Sequence, residues 1–178
     1  MKRKTLAFIV FLMMVIPTMA LAYEEPAKGT KGNPFYTSKA EEGIIEFKGP
    51  NADYSAYATA NITVSVVGVL EVSPAYEKIS ELALIDARGP FYFCYKVLIK
   101  AEDIIGGNAI IVTSEAFKVY DTDRVEVPIL TKYEQAELLN GTGAYMYIGF
   151  RTPKTFPLYI VFNNELWFDL INISSVEE

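Results

Sequence analysis

From Ser55 to Val66 the chain alternates without a break. Ala56, Ala58, Ala60, Ile62, Val64 and Val66 occupy the even positions, and Tyr57, Thr59, Asn61, Thr63 and Ser65 the odd ones. Successive side chains of a strand point to opposite faces, so this period sends one small, apolar set inward and one mostly polar set outward. No helix reproduces that pattern. A chain carrying it is committed to a sheet with one covered face.

The flanking segments extend the same reading. Ile44–Lys48 is a shorter strand closed by Gly49-Pro50. Phe91–Lys100 is apolar on both faces, which predicts a central strand covered on both sides. Between them, Ser73 reads as an N-cap and Pro74 as the first helical residue. Ile79, Leu82 and Ile85 recur at helical spacing until Gly89-Pro90, giving one amphipathic helix.

Further strands are predicted at Ala109–Thr113, Ala116–Tyr120 and Val125–Leu130, with Pro128 marking the last as an edge. Tyr133–Leu139 reads as a short helix ending at Asn140-Gly141. The final third reads as a meander of Ala144–Phe150, Leu158–Phe162 and Glu165–Ile171, with Asn163-Asn164 as a two-residue hairpin loop. In its last strand Leu166, Phe168 and Leu170 face one way, and Trp167 and Asp169 the other. This inventory predicts an all-β fold, a two-sheet β-sandwich of jelly-roll-like type with one or two short helices. A closed barrel is the alternative.

The beginning of the chain divides the sequence. Lys2, Arg3 and Lys4 precede an unbroken apolar run from Leu6 to Ile16, followed by Pro17 and Ala20-Leu21-Ala22. That order predicts a signal peptide over residues 1–22, cleaved after Ala22. The run is short of the roughly 20 residues a membrane span needs, so no mature span is expected. A retained anchor or a pilin-type stalk is the competing reading, and the polar, helix-breaking stretch from Tyr23 to Gly29 argues against it. Residues 23–42 carry Pro26, Gly29, Gly32 and Pro34 and read as an extended leader. Residues 43–178 form the β-sandwich domain. The expected location is secreted, extracellular or at the cell surface.

Composition narrows the chemistry. The chain has 16 Lys and Arg against 22 Asp and Glu. Loss of the three signal cations leaves 13 against 22, a surface that repels nucleic acid and anionic lipid. There is no histidine, which removes Ser-His-Asp catalysis and the usual zinc sites. Cys94 is the only cysteine, so no intrachain disulfide forms, and its aromatic neighbours mark it as a core residue. The expectation is a non-enzyme with no cofactor. A hydrolase using two carboxylates that meet in space is the reading this disfavours.

Three kinds of residue remain as site candidates. Asp121 and Asp123 supply the start of a calcium site, but the rest of an EF-hand loop is missing, and acidic turn residues usually just form turns. Asn61, Asn140 and Asn172 each begin an Asn-X-Ser/Thr acceptor for glycosylation. Trp167, facing outward beside Tyr159, is suited to stack on a sugar ring or to pack against a neighbouring subunit.

The layout resembles exported fibre subunits of the TasA/camelysin type and related archaeal bundling pilins. It shares with them a signal peptide, a short leader and then a β-domain without disulfides. The run Phe35-Tyr36-Thr37-Ser38 is similar to the aromatic-hydroxyl run that follows the signal in those proteins. The resemblance implies an extracellular filament, pilus or matrix in which the N-terminal segment of one copy completes the sheet of the next. The partners would be copies of the chain itself. Ile44, Ile45 and Phe47 are then the candidate donor strand, with room made by Ala56, Ala58 and Ala60. A carbohydrate-binding or adhesive module is the alternative, with glycans as partners.

Overall fold

A computed structural model describes residues 25–71, 75, 77–79, 92–121, 123–151 and 157–170. The expected signal peptide, Ser73-Pro74, Leu82, Ile85, Gly89-Pro90 and the acceptor Asn172 lie outside the described residues. The strands in chain order are β1 (Phe35–Tyr36), β2 (Gly43–Pro50), β3 (Tyr57–Glu71), β4 (Tyr92–Ile105), β5 (Ala109–Thr113) and β6 (Phe117–Asp121). They continue with β7 (Glu126–Val127), β8 (Gln135–Leu139), β9 (Thr142–Arg151), β10 (Pro157–Phe162) and β11 (Leu166–Asp169).

The alternating segment forms most of β3, the longest described strand. Its pattern is realised except at Ala56, which precedes the strand and is exposed, and at Ser65, an outward residue by period that is buried. Ala58, Ala60, Ile62, Val64 and Val66 are buried, while Tyr57, Asn61 and Val67 are exposed. The pairing with β4 slips between Val66 and Gly68, so Val67 bulges out and the phase changes. Beyond the bulge Val69 joins the main core and Leu70 the opposite face.

β3 lies between β2 and β4 in an antiparallel sheet of order β2-β3-β4-β9. A second sheet has the order β1-β11-β10-β6-β7, with β1 parallel to β11. The main core is formed by residues from both sheets, including Phe47, Ile62, Tyr95, Phe117, Phe150, Phe162 and Phe168. Aromatic rings meet within it: Phe47 and Phe117 lie 5.4 and 4.9 Å from Phe162, and Tyr95 lies 5.7 Å from Phe150. A separate antiparallel ladder, β5 with β8, adds Ile110, Val112, Ala136 and Leu138. The fold is an all-β sandwich.

β4 is covered on both sides, as its sequence requires. Phe93, Tyr95, Val97 and Ile99 enter the main core. Tyr92 and Cys94 face the other way and join Leu70, Ala75 and Ile79 in a second cluster. Residues 75 and 77–79 are helical, so the described part of the expected helix lies over this outer face.

Three segments depart from the sequence reading. Tyr133–Leu139 is not a helix: Gln135–Leu139 is β8, with Ala136 and Leu138 buried and their neighbours exposed. Its period is two, and pairing with β5 overrides the helical propensity of Gln, Glu, Ala and Leu. The last third is not a meander, because β9 pairs with β4 whereas β10 and β11 belong to the other sheet. Within Val125–Leu130 the strand is confined to Glu126–Val127, since Pro128 has no N–H to continue the ladder.

Candidate functional site

Residues 25–42 do not stand away from the domain as an extended leader. They run along β11 and supply the edge strand β1. Phe35 pairs with Phe168 and Tyr36 with Asp169. On either side of this two-residue ladder the Trp167 N–H donates to the Gly29 carbonyl (2.8 Å), and the Thr37 hydroxyl donates to the Asp169 carbonyl (2.8 Å).

Glycine makes the seat for the Phe35 ring. β-Carbons on Gly29 and Gly43 would lie 2.4 and 2.6 Å from its Cε2, so only glycine leaves room. The φ of Gly29, 84°, also favours glycine. The ring then packs on Phe168, 5.3 Å between centroids.

Glu41 closes the segment from outside. Its Oε2 accepts from the Tyr36 N–H (2.6 Å) and pairs with the Lys28 ammonium (2.8 Å). These contacts, led by the Lys28 hydrogen bond, hold its carboxyl below the usual range. Lys28 also stands 4.3 Å from the centre of the Tyr36 ring.

The outer face of the same sheet carries the aromatic residues expected there. Register places Tyr36, Asp169, Tyr159, Tyr120 and Glu126 in one row across the five strands. Trp167 lies beside this row, stacked on Tyr120 (5.2 Å, 18°) and edge-on to Tyr159 (5.7 Å, 69°). Lys31 stands 5.6 Å from the indole centre and Arg124 5.9 Å from the Tyr159 ring. The indole is half-buried, with one face already stacked.

The candidate donor residues lie in β2, paired within their own chain. Phe47 is buried opposite Ala60 and Ile45 is half-buried opposite Ile62, whereas Ile44 points outward and is 67% exposed. The small face of β3 does accommodate a large neighbour, and that neighbour is Phe47.

Asp121 is a turn former. Its Oδ1 accepts from the N–H groups of Asp123 (2.8 Å) and Val125 (2.9 Å). Asp123 is exposed. Among the described residues no group of three or more His, Cys, Asp or Glu is placed to hold a metal ion. No helix among them is long and apolar enough to cross a membrane.

One carboxylate was missed by sequence reasoning. Glu134 accepts from the Tyr147 N–H (2.8 Å), and Thr131 accepts from the Gly149 N–H (3.0 Å) and donates to the Tyr147 carbonyl (2.8 Å). With the Leu130 N–H on the Gly149 carbonyl (2.7 Å), these groups seal the outer edge of β9 in place of a further strand. Glu134 Oε2 is buried without a hydrogen-bond partner, and burial pushes the carboxyl up to about 7. Beside this segment a groove of about 430 Å³ opens, lined by Ser114, Phe117, Lys118, Val127 and Lys132 among others.

No protein-family model matches the chain, and no curated protein and no solved structure matches it either.

Proposed function

We propose that the chain is exported and serves as a structural subunit of an extracellular filament, pilus or matrix. In this reading the N-terminal segment of one copy completes the sheet of the next. The supporting observation is the way residues 25–42 are held. A two-residue parallel ladder, two flanking hydrogen bonds and one aromatic ring join them to β11. The same segment of a neighbouring copy can make each of those contacts, so exchange costs no bond and the head-to-tail contact it creates need not close. β2, with Ile44, Ile45 and Phe47, is the harder element to release, because its ladder with β3 runs over eight residues and Phe47 is in the core.

Light scattering and negative-stain microscopy of residues 23–178, beside Phe35→Ala, test this reading. Filaments that shorten or vanish in the variant are expected. A wild-type protein that stays monomeric at high concentration overturns it.

A second reading, a carbohydrate-binding or adhesive module, is supported by the outward cluster of Trp167, Tyr120 and Tyr159 with Asp169 in the same sheet face. It ranks second because Tyr120 already covers one face of the indole, so a sugar would have to displace a stacked ring. Quenching or enhancement of Trp167 fluorescence across a glycan panel would favour it.

A further inference from the structure

Two of the three Asn-X-Ser/Thr acceptors lie within the described residues, and both flank the same bulge in β4. Asp103 there has a φ of 56°. Asn61 approaches it from β3, donating from Nδ2 to Asp103 Oδ2 at 3.0 Å. Asn140 approaches from the β8–β9 turn, accepting at Oδ1 from the Ile104 N–H at 3.4 Å. The two asparagines therefore present opposite ends of their amides to the protein.

That difference decides which one can be modified in the folded chain. Asn61 is exposed, but it uses its nitrogen, and register places it in the middle of the sheet between Glu46 of β2 and Glu102 of β4. Asn140 uses its oxygen, which leaves Nδ2 facing away from that contact. It is exposed as well, and around Gly141 beside it, with φ 75°, no described atom beyond its two chain neighbours comes within 4 Å of where a side chain would begin. Thr142, the third residue of the acceptor, is also exposed, and its hydroxyl already closes the turn on Leu139 (2.8 Å).

The surroundings give such a modification a purpose. Leu139 and Ile105, at 52% and 71% exposure, are large apolar side chains left in solvent, each next in sequence to a residue of this contact. A bulky hydrophilic group at Asn140, next to Leu139 in the chain and bonded to the residue before Ile105, would add hydrophilic bulk to this neighbourhood and limit contact between copies there.

We propose that Asn140 is an N-glycosylation site of the folded protein and that Asn61 is not. The donor is an oligosaccharide linked to a lipid diphosphate. Asn140 Nδ2 bonds to its anomeric carbon, the lipid diphosphate leaves with the bonding electron pair, and the amide proton passes to a base of the transferase. The Oδ1 contact with Ile104 survives the reaction.

The test uses the folded chain carrying Asn172→Gln, a single-subunit oligosaccharyltransferase and a lipid-diphosphate-linked oligosaccharide. Intact-mass and peptide mass spectrometry locate the product, and peptides of the two acceptor sequences set the reference rates. Asn140 should react within about tenfold of its peptide, and Asn61 about a hundredfold more slowly than its own, the delay of a site that must wait for its strand to open. Asn140→Gln should leave the folded protein unmodified. Asn140 reacting as slowly as Asn61, or both reacting at their peptide rates, overturns the assignment.

Discussion

The Phe35 ring occupies the space a side chain on Gly43 would need: a β-carbon there would lie 2.6 Å from Cε2 of the ring and 3.0 Å from Leu166 Cδ1. Gly43 opens β2 and Phe35 opens β1, so this single contact joins the N-terminal segment to both sheets. Gly43→Ala should expel the ring, and overpacking of this kind costs about 1–3 kcal/mol. Hydrogen exchange should speed up over residues 29–37 and stay slow through β3 and β4. Unchanged exchange over 29–37 would mean the ring does not anchor the segment.

Glu134 makes stability depend on pH in the direction opposite to most carboxylates. Burial raises its folded pKa to about 7 from an ordinary 4.5, against the opposing Tyr147 N–H and the Lys78 charge. The folded state therefore binds the proton more tightly than the unfolded one. Its contribution is fully present below about pH 4.5 and is lost as pH rises through about 7. Because the group is partly open to solvent, the effect is on the order of 1 kcal/mol. Thermal midpoints should fall between pH 5 and 8, and Glu134→Gln should flatten that slope. A slope that persists in Glu134→Gln would assign it to other groups.

Phe47 and Ala60 are a large–small pair opposite each other on the inner face of β2 and β3. Ala60→Leu should force the Phe47 ring off its contact with Phe162 and cost about 1–3 kcal/mol. Phe47→Ala should cost about 3–5 kcal/mol by leaving a cavity. Urea denaturation reads both, and in the double variant the losses should fall short of their sum, because the added leucine fills part of the space the ring vacates.

The parts of this architecture legible in the sequence are those governed by local period. β3 announces itself because its inward set is uniformly small or branched, and β4 because it is apolar on both faces. β8 was hidden, since Gln135, Ala136, Glu137 and Leu138 are all good helix formers and only the distant pairing with β5 makes them a strand. The outward position of Trp167 followed from alternation, but its stack on Tyr120 depends on β6 and β11 both flanking β10, which no local pattern encodes. The seat of Phe35 was equally out of reach. Gly29 reads as part of the leader and Gly43 carries no signal of its own until the fold brings both against the same ring.

The turn between β10 and β11 carries a prediction that tests the register of the whole outer face. Asn163 and Asn164 have φ values of 50° and 59°, and the Glu165 N–H closes the turn on the Phe162 carbonyl at 3.0 Å. Because the ladder resumes with Phe162 opposite Leu166, the loop is three residues long, Asn163 to Glu165, not the two expected. The Asn163 N–H also reaches the Ala116 carbonyl at 2.7 Å, which ties the turn to the start of β6. Asn164→Gly should leave stability within about 0.5 kcal/mol, because glycine adopts this conformation without steric cost. Asn163→Val places a branched side chain at positive φ and should cost about 1–3 kcal/mol. A slip of one residue would turn Trp167 into the core and Phe168 out of it. Loss of the Trp167–Tyr120 stack, read by near-ultraviolet circular dichroism, should therefore accompany destabilisation in Asn163→Val and be absent in Asn164→Gly. Equal behaviour of the two variants would show that this turn does not set the register.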